Sequence, residues 1–159
     1  RQGNGTLISS DSFENLRDAT IEDVAGILKL IRPLEENGSL VERSRELLET
    51  EIENFKIVEL EDSVIACAAL YPIGKDFAEI ACIAIDNDFQ KNGYGDRLLN
   101  SLESEAKAAG IKKIFVLTTT ASHWFLGKGF LDAQLSDLPE TRQELYNYQR
   151  KSKVLLKRL

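Results

Sequence analysis

The chain has 159 residues. This length corresponds to one domain and is sufficient to bury a sizeable core. Its 43% hydrophobic and 29% charged residues are typical of a soluble globular protein, and no apolar run approaches the roughly 20 residues that a membrane span needs. A net charge of −6 argues against nucleic acid as a partner, because neutralisation of phosphates dominates that kind of binding.

The two cysteines, Cys67 and Cys82, lie inside apolar strand-like runs and match no CxxC or Cys/His metal-ligand spacing. We therefore expect both thiols to be reduced and mostly buried, and we expect no metal site. The first residues show no signal-peptide pattern, so the expected location is the cytoplasm.

The N-terminal residues 1–16 contain glycine, serine and asparagine without sustained periodicity, which predicts a linker. A helix is predicted from Thr20, with Asp23 three residues later as in a capping box. Pro33 is predicted to end or kink this helix near Arg32. The apolar face of the helix comprises Ile21, Val24, Ile27, Leu28 and Ile31.

A second helix is predicted after Ser44, which can cap it, with Leu47, Leu48 and Ile52 facing inward. Strand-like runs follow, and the short breaks between them predict antiparallel neighbours. These runs cover residues 55–60, 64–71 and 77–85.

The second half of the chain alternates helical and strand-like patterns. A helix over 96–109 ends at Gly110, and an apolar strand over 111–119 follows it. Because a helix separates this strand from the run before it, we expect the two strands to be parallel. The remaining predicted elements are a short helix over 121–127, a short helix over 139–146 with proline at its start, and a closing strand over 150–156.

A glycine-bearing loop, QKNGYG at residues 90–95, leads from the third strand-like run into the helix. A helix start has unpaired N–H groups and the positive end of the macrodipole, so such a loop can hold a phosphate. The loop is not a Rossmann fingerprint, which needs glycine or alanine in place of Leu98, and it lacks the Gly-Lys-Ser/Thr of a P-loop. It resembles the acyl-CoA pyrophosphate loop of the GCN5-related N-acetyltransferases (GNAT family), although an ordinary strand-to-helix turn also uses glycines.

The order of the predicted elements is that of the GNAT fold. The predicted fold class is therefore α/β (α+β), with a mixed central sheet, antiparallel N-terminal strands and a parallel βαβ acyl-CoA-binding unit. Agreement between the local patterns and one global fold strengthens this prediction beyond the loop alone.

Several runs resemble one family closely, the acetyltransferase domain of bacterial N-acetylglutamate synthase (amino-acid N-acetyltransferase). The runs are IRPLEENG (31–38), VERSRELLE (41–49), CAALYP (67–72), EIACIAI (79–85), FVLTT (115–119) followed by HWF and GF, and LYNYQRKSKVL (145–155). Residues 3–6 also resemble the tail of the amino-acid-kinase-like domain that precedes the acetyltransferase in that family. The resemblance implies an acetyltransferase domain over 17–159, behind the 1–16 linker, in a longer and oligomeric protein.

The family resemblance implies transfer of an acetyl group from acetyl-CoA to the α-amino group of L-glutamate, the first step of arginine biosynthesis. A substrate with two carboxylates needs cationic or donor groups, and arginine forks match carboxylates best. By resemblance, Arg32, Arg150 and Ser152 bind these carboxylates. Arg32 is expected at a helix break, and Arg150 and Ser152 are expected on one face of the closing strand.

The resemblance also implies roles in the chemistry. Glu79 is the expected base, acting through water, and main-chain N–H groups near Cys82 and Ile83 are expected to meet the acetyl carbonyl. Phe125 stands where many relatives have a tyrosine acid. Thr118 is the first choice for the acid instead, with Thr119 and Ser122 left open, and His123 is expected to belong to the packing. The implied acetyl-CoA site comprises Ile83, Ala84, Ile85, Gln90, Lys91, Asn92, Gly93, Tyr94 and Gly95.

Two other functions remain compatible with the residues. One is a GNAT acetyltransferase for another small amino acid or for a peptide N-terminus. The other is a domain that senses acetyl-CoA or glutamate without turnover, which the presence of Glu79 disfavours. Neither alternative involves nucleic acid or a membrane.

Overall fold

The computed structural model describes residues 14–146 and 151–159. The strands are β1 (Glu14–Asp18), β2 (Phe55–Leu60), β3 (Ser63–Ile73), β4 (Phe77–Ile85), β5 (Lys113–Thr118), β6 (Leu131–Asp132) and β7 (Lys153–Arg158). The α-helices are α1 (Val24–Glu36), α2 (Arg45–Thr50), α3 (Tyr94–Ala108), α4 (Ser122–Leu126) and α5 (Glu140–Glu144). The strands form one sheet in the order β1-β2-β3-β4-β5-β7-β6.

The sheet is mixed, as predicted. Strands β1 to β4 are successive antiparallel neighbours, β4 and β5 are parallel, and β7 is antiparallel to both β5 and β6. The crossover between the two parallel strands runs through α3, which Gly110 ends with a φ of +85°. The predicted βαβ unit is therefore confirmed.

The prediction of a linker up to residue 16 is wrong for residues 14–16. These residues belong to β1, in which Glu14 pairs with Leu60 and Asp18 with Lys56. The sequence ENLRD alternates too weakly to read as a strand, so its conformation depends on pairing with β2 rather than on local pattern. Residues 1–13 lie outside the described residues.

Helix α1 differs from its prediction at Pro33, which lies inside the helix rather than ending it. The helix continues to Glu36, and the Asn37 N–H donates to the Pro33 carbonyl at 3.2 Å. A proline inside a helix costs about 3 kcal/mol. Burial of Ile31 before it and partial burial of Leu34 after it offset that cost, because both pack into the same core.

The predicted capping box at the start of this helical segment is confirmed. The Thr20 N–H donates to Asp23 Oδ2 at 2.7 Å, and a single turn of 3-10 helix, Ile21–Asp23, precedes α1. Ser44 caps α2 as predicted, because its Oγ accepts from the Leu47 N–H at 3.1 Å. The Leu47 side chain itself is exposed, so its predicted inward position is wrong.

The core has a cluster on each face of the sheet. One cluster packs α3 through Leu98, Leu99, Leu102 and Ala106, as the helical spacing predicts. The other packs α1 and α2 through Val24, Ile27, Ile31 and Leu48, and it includes the free and buried thiols of Cys67 and Cys82. The helices cover both faces of the sheet and leave accessible the ends of β4 and β5, where these two strands separate.

Candidate active site

The sheet opens between β4 and β5. Their parallel pairing covers only Phe77–Glu79 against Lys113–Phe115, although β4 continues to Ile85 and β5 to Thr118. A cavity of about 520 Å³ lies at this opening. The segment between α1 and α2, the ends of β4 and β5, and residues of α4 and α5 line it.

Strand β4 is irregular where it passes the cavity. Its register with β3 shifts between Cys67 and Ala69, so one extra residue of β4 lies opposite Ala68. Cys82, at this bulge, has a φ of +59°, which L side chains rarely adopt. A bulge re-aims the backbone, and here it lies at Cys82 and Ile83, near which the family resemblance implies carbonyl-binding N–H groups.

Glu79 lines the cavity and forms an ion pair that the sequence analysis missed. Arg142 Nε donates to Glu79 Oε1 at 2.7 Å, and Arg142 Nη2 donates to Glu79 Oε2 at 3.2 Å. Both side chains are largely buried, with exposed fractions of 13% for Glu79 and 20% for Arg142. The two residues are 63 positions apart, and no local pattern could have predicted their contact.

Arg43 is a second arginine of the cavity that the sequence analysis did not single out. Burial opposes its charge, but the neighbouring Cys82, Tyr71 and Glu51 groups raise its pKa above the ordinary arginine value. Tyr71 donates to Glu51 Oε1 at 2.8 Å beside it, and burial raises the tyrosine pKa. Arg43 is therefore a fixed positive charge on the wall of the cavity.

Arg32 does not lie at a helix break, because α1 continues past it. Its Nη1 donates to Glu35 Oε1 at 2.6 Å and to the Arg43 carbonyl at 2.8 Å. Glu35 Oε2 accepts from the Arg43 N–H at 2.9 Å. Arg32 thus holds the backbone of Arg43 in place, and it is not among the residues that line the cavity.

The thiol of Cys67 contacts the backbone of Cys82 behind the bulge. The Cys67 Sγ donates to the Cys82 carbonyl at 3.5 Å. A hydrogen bond with Cys82 and complete burial raise the pKa of Cys67, whereas a hydrogen bond with Cys67 and the charge of Arg43 lower the pKa of Cys82. The charge of Arg43 therefore acts on the Cys82 side of the bulge.

The predicted acetyl-CoA residues divide into two groups. Five of them line the cavity: Ile83, Ala84, Ile85, Gln90 and Lys91. The others, 92–95, lead into α3, which begins at Tyr94. Gly93 caps the helix with a φ of +84°, and Gly95 is packed against Ile85 and Trp124. The Tyr94 side chain is buried and its hydroxyl donates to Glu14 Oε1 at 2.7 Å, so only its backbone faces the loop.

Thr118 lies at the end of β5 and lines the cavity. Its buried Oγ1 accepts from the Ala121 N–H at 2.9 Å, which leaves the hydroxyl proton for another acceptor. The alternatives Thr119 and Ser122 do not line the cavity. Phe125 is buried there, whereas His123 is exposed, so its predicted place in the packing is wrong.

Ser152 is buried, but it lines a second hollow of about 410 Å³ beside Tyr146. It precedes β7, which begins at Lys153, so its predicted place on the closing strand is wrong. Lys153 pairs with Thr118, which puts Ser152 near the open end of the sheet. Arg150 lies outside the described residues, and its carboxylate-binding role stays a prediction.

The described residues offer neither a metal site nor a membrane span. Within 14–146 and 151–159, no group of three or more His, Cys, Asp or Glu side chains could hold a metal ion. No helix in the described part of the chain is long and apolar enough to cross a bilayer.

Comparison with known proteins gives concordant matches. Residues 22–126 match the model of the acetyltransferase (GNAT) family. The whole chain is 55% identical to amino-acid acetyltransferases from Ectopseudomonas mendocina and Azotobacter vinelandii, and it covers 37% of each. Its structure is similar to that of N-acetylglutamate synthase from Neisseria gonorrhoeae complexed with coenzyme A and N-acetyl-glutamate. That match has a TM-score of 0.89 and 42% identity, and it covers 92% of this chain and 35% of that one.

Proposed function

Because the chain belongs to the acetyltransferase (GNAT) family, we propose that it acetylates the α-amino group of L-glutamate with acetyl-CoA, giving N-acetyl-L-glutamate and CoA. This is the first step of arginine biosynthesis. One observation carries the proposal: Glu79, Arg43 and Arg142 line a single cavity beside the bulge of β4. The names of the relatives support it, although the chain spans little more than a third of their length.

Acetyl-CoA fits the opening between β4 and β5. The proposed site runs from residues 83–85 on β4 to the loop 90–95 at the N-terminus of α3, a helix of 15 residues. The macrodipole and the unpaired N–H groups of that helix favour a pyrophosphate. Nothing lies within 4 Å of a Cβ placed on Gly93, so the backbone there is open to a ligand.

Glu79 and the bulge supply the chemistry of transfer. Glu79 accepts a proton from the glutamate ammonium, directly or through water, so that the nitrogen can attack the acetyl carbonyl carbon. The backbone N–H groups near Cys82 and Ile83 stabilise the negative charge that develops on the carbonyl oxygen. As the carbon–sulfur bond breaks, the thiolate takes the bonding electrons. The attacking nitrogen then loses its second proton, which can reach the thiolate through the Thr118 hydroxyl as that group gives up one proton and takes another.

The proposal includes the context of the chain. We propose that it is the acetyltransferase part of a longer, oligomeric protein with an amino-acid-kinase-like domain. That the chain covers 37% of its relatives supports a longer protein. Two buried free thiols agree with a reducing compartment such as the cytoplasm.

Release of CoA thiol from acetyl-CoA, measured with each amino acid in turn, tests the proposal. Glutamate should give release together with a product of the mass of N-acetyl-L-glutamate. If CoA is released with another amino acid or a peptide but not with glutamate, the chain is a GNAT acetyltransferase for that other acceptor. Binding of acetyl-CoA or glutamate with no release in any mixture would indicate a sensor.

A further inference from the structure

Two free cysteines lie on neighbouring strands where the sheet meets the cavity. Cys67 is on β3 and Cys82 is on β4, at the bulge that places an extra residue opposite Ala68. Both side chains belong to the core cluster that packs against α1 and α2. The two thiols are therefore on the same face of the sheet.

The two side chains are within reach of each other. Cys67 Sγ lies 3.5 Å from the Cys82 carbonyl oxygen. Standard bond lengths place that oxygen about 2.4 Å from Cys82 Cα, so the Cys67 sulfur is within about 6 Å of that Cα atom. Because a disulfide bond is about 2 Å long, rotation of the side chains and a small shift of the bulge can close the pair.

The two thiols differ in access and in reactivity. Cys82 lines the cavity, whereas Cys67 does not line it and is fully buried. A hydrogen bond with Cys67 and the charge of Arg43 lower the pKa of Cys82, while a hydrogen bond with Cys82 and burial raise the pKa of Cys67. Since the thiolate is the nucleophile, the cysteine that a small reagent meets in the cavity is also the more reactive one.

We propose that Cys82 is a site of oxidation by hydroperoxides and that Cys67 converts the product to a disulfide. The Cys82 thiolate attacks hydrogen peroxide, so that an S–O bond forms, the O–O bond breaks and hydroxide leaves, which gives a sulfenic acid. The Cys67 sulfur then attacks the Cys82 sulfur. The S–O bond breaks, and the departing hydroxide takes the Cys67 proton and becomes water. Together the two thiols lose two electrons and two protons, and the peroxide becomes two water molecules.

The disulfide acts on the cavity through the bulge. Cys82 has a φ of +59°, and its backbone is beside the N–H groups assigned to the acetyl carbonyl. A covalent bond to β3 displaces this backbone, so we expect acetyl transfer to stop until a reductant restores the thiols. This effect on turnover rests on the proposed function, whereas the thiol chemistry does not. In a reducing compartment a disulfide of this kind is transient and reports on oxidants.

The test treats the reduced full chain with hydrogen peroxide, quenches it in denaturant with an alkylating reagent, and measures intact mass and acetyl transfer. We expect the parent to lose two hydrogen atoms in mass, both alkylatable thiols and most of its acetyl transfer. Dithiothreitol should restore all three. Saturating acetyl-CoA should slow the loss of thiols, because the proposed site covers Cys82.

Two variants separate the roles of the cysteines, and each is compared with itself before oxidation. Cys67→Ala should form no disulfide, and its Cys82 sulfenic acid should be trapped by dimedone. Cys82→Ala should keep Cys67 alkylatable after peroxide, because Cys67 does not line the cavity. Urea unfolding shows whether each variant is folded, and Cys67→Ser replaces Cys67→Ala if the alanine variant is not.

The proposal is overturned if the parent keeps two alkylatable thiols, if it gains oxygen without forming a disulfide, or if the disulfide joins two chains on a non-reducing gel. Oxidation of Cys67 in Cys82→Ala at the parent rate, or no protection by bound acetyl-CoA, contradicts the route through the cavity. A disulfide that leaves acetyl transfer unchanged contradicts the effect on the site. If the reduced parent does not acetylate glutamate at all, the proposed function fails, and the masses still decide the thiol pair.

Discussion

Glu79 is the residue on which the catalytic proposal depends. Glu79→Gln keeps the size of the side chain and one acceptor for Arg142, but it cannot take a proton from the substrate. We expect both substrates to bind and single-turnover acetyl transfer to slow by about 10² to 10⁴, the usual worth of general base catalysis. The defect should shrink at high pH, where more of the amine is already neutral.

Glu49→Gln provides the control, because Glu49 is an exposed carboxylate on α2 away from the cavity. We would measure single-turnover rates of both variants and of the parent from neutral to alkaline pH. These rates distinguish a carboxylate that acts as a general base from one that is structural. A structural carboxylate would alter stability or binding and leave the shape of the pH profile unchanged. Equal rates with parallel profiles would remove Glu79 from the mechanism.

Only part of the candidate site could be predicted from the sequence. Glu79, Cys82 and Thr118 lie on strands of the motifs that carried the resemblance, and all three line the cavity. Arg142 could not be predicted, because its role depends on a contact across 63 positions. Arg32 was expected at a helix break beside Pro33 that the folded chain does not have, and Arg43 was not singled out.

The loop before α3 and the start of that helix form the element that we propose binds acetyl-CoA. Its two glycines have different surroundings. A Cβ on Gly95 would lie 3.1 Å from Ile85 Cδ1 and 3.2 Å from Trp124 Cζ2, whereas a Cβ on Gly93 would meet nothing within 4 Å. Gly93 instead has a φ of +84°, so a side chain there strains the backbone.

This difference predicts the outcome of a pair of variants. Gly95→Val should force Ile85 and Trp124 apart, cost about 1 to 3 kcal/mol of unfolding free energy, and weaken acetyl-CoA binding strongly. Gly93→Ala should cost about 1 kcal/mol through its backbone, with a smaller effect on acetyl-CoA. Urea unfolding and acetyl-CoA titration of both variants measure the two effects. The loop assignment fails if both variants titrate acetyl-CoA as the parent does.

Among the helices and strands, the sequence predicted the ones whose apolar pattern lies entirely within a single segment. Strands β2 and β4 have the predicted bounds, and α3 ends at the predicted glycine. Strand β1 and the tail of α1 were not predicted. The first is an edge strand of five residues that gains its conformation from β2, and the second continues through a proline because its side chains reach the core.

On the scale of the whole molecule, the separation of β4 and β5 forms the candidate site. Strand β1, at one edge of the sheet, connects that edge to the helices. Glu14 accepts from Tyr94 at 2.7 Å and from Arg97 at 2.7 Å, which joins the strand to the start of α3. Arg17 binds Asp23 through two hydrogen bonds of 2.8 Å and 2.9 Å, which joins the strand to the start of the first helical segment. These contacts make β1 part of the folded unit.

Asp23 should therefore make the stability of the chain sensitive to acid. The Arg17 hydrogen bonds, together with the Thr20 N–H, lower the pKa of Asp23 below its ordinary value despite its burial. A lowered pKa in the folded state stabilises the protein above the ordinary aspartate pKa of about 4, and this stabilisation is lost as the pH falls through the folded value.

Asp23→Asn should cost about 1 to 3 kcal/mol of unfolding free energy at neutral pH and less below pH 4, because Arg17 then loses little further. Urea unfolding from pH 7 to pH 3 measures the difference, with Asp132→Asn on exposed β6 as the control, and a cost for Asp23→Asn that stays constant over this range would contradict the assignment.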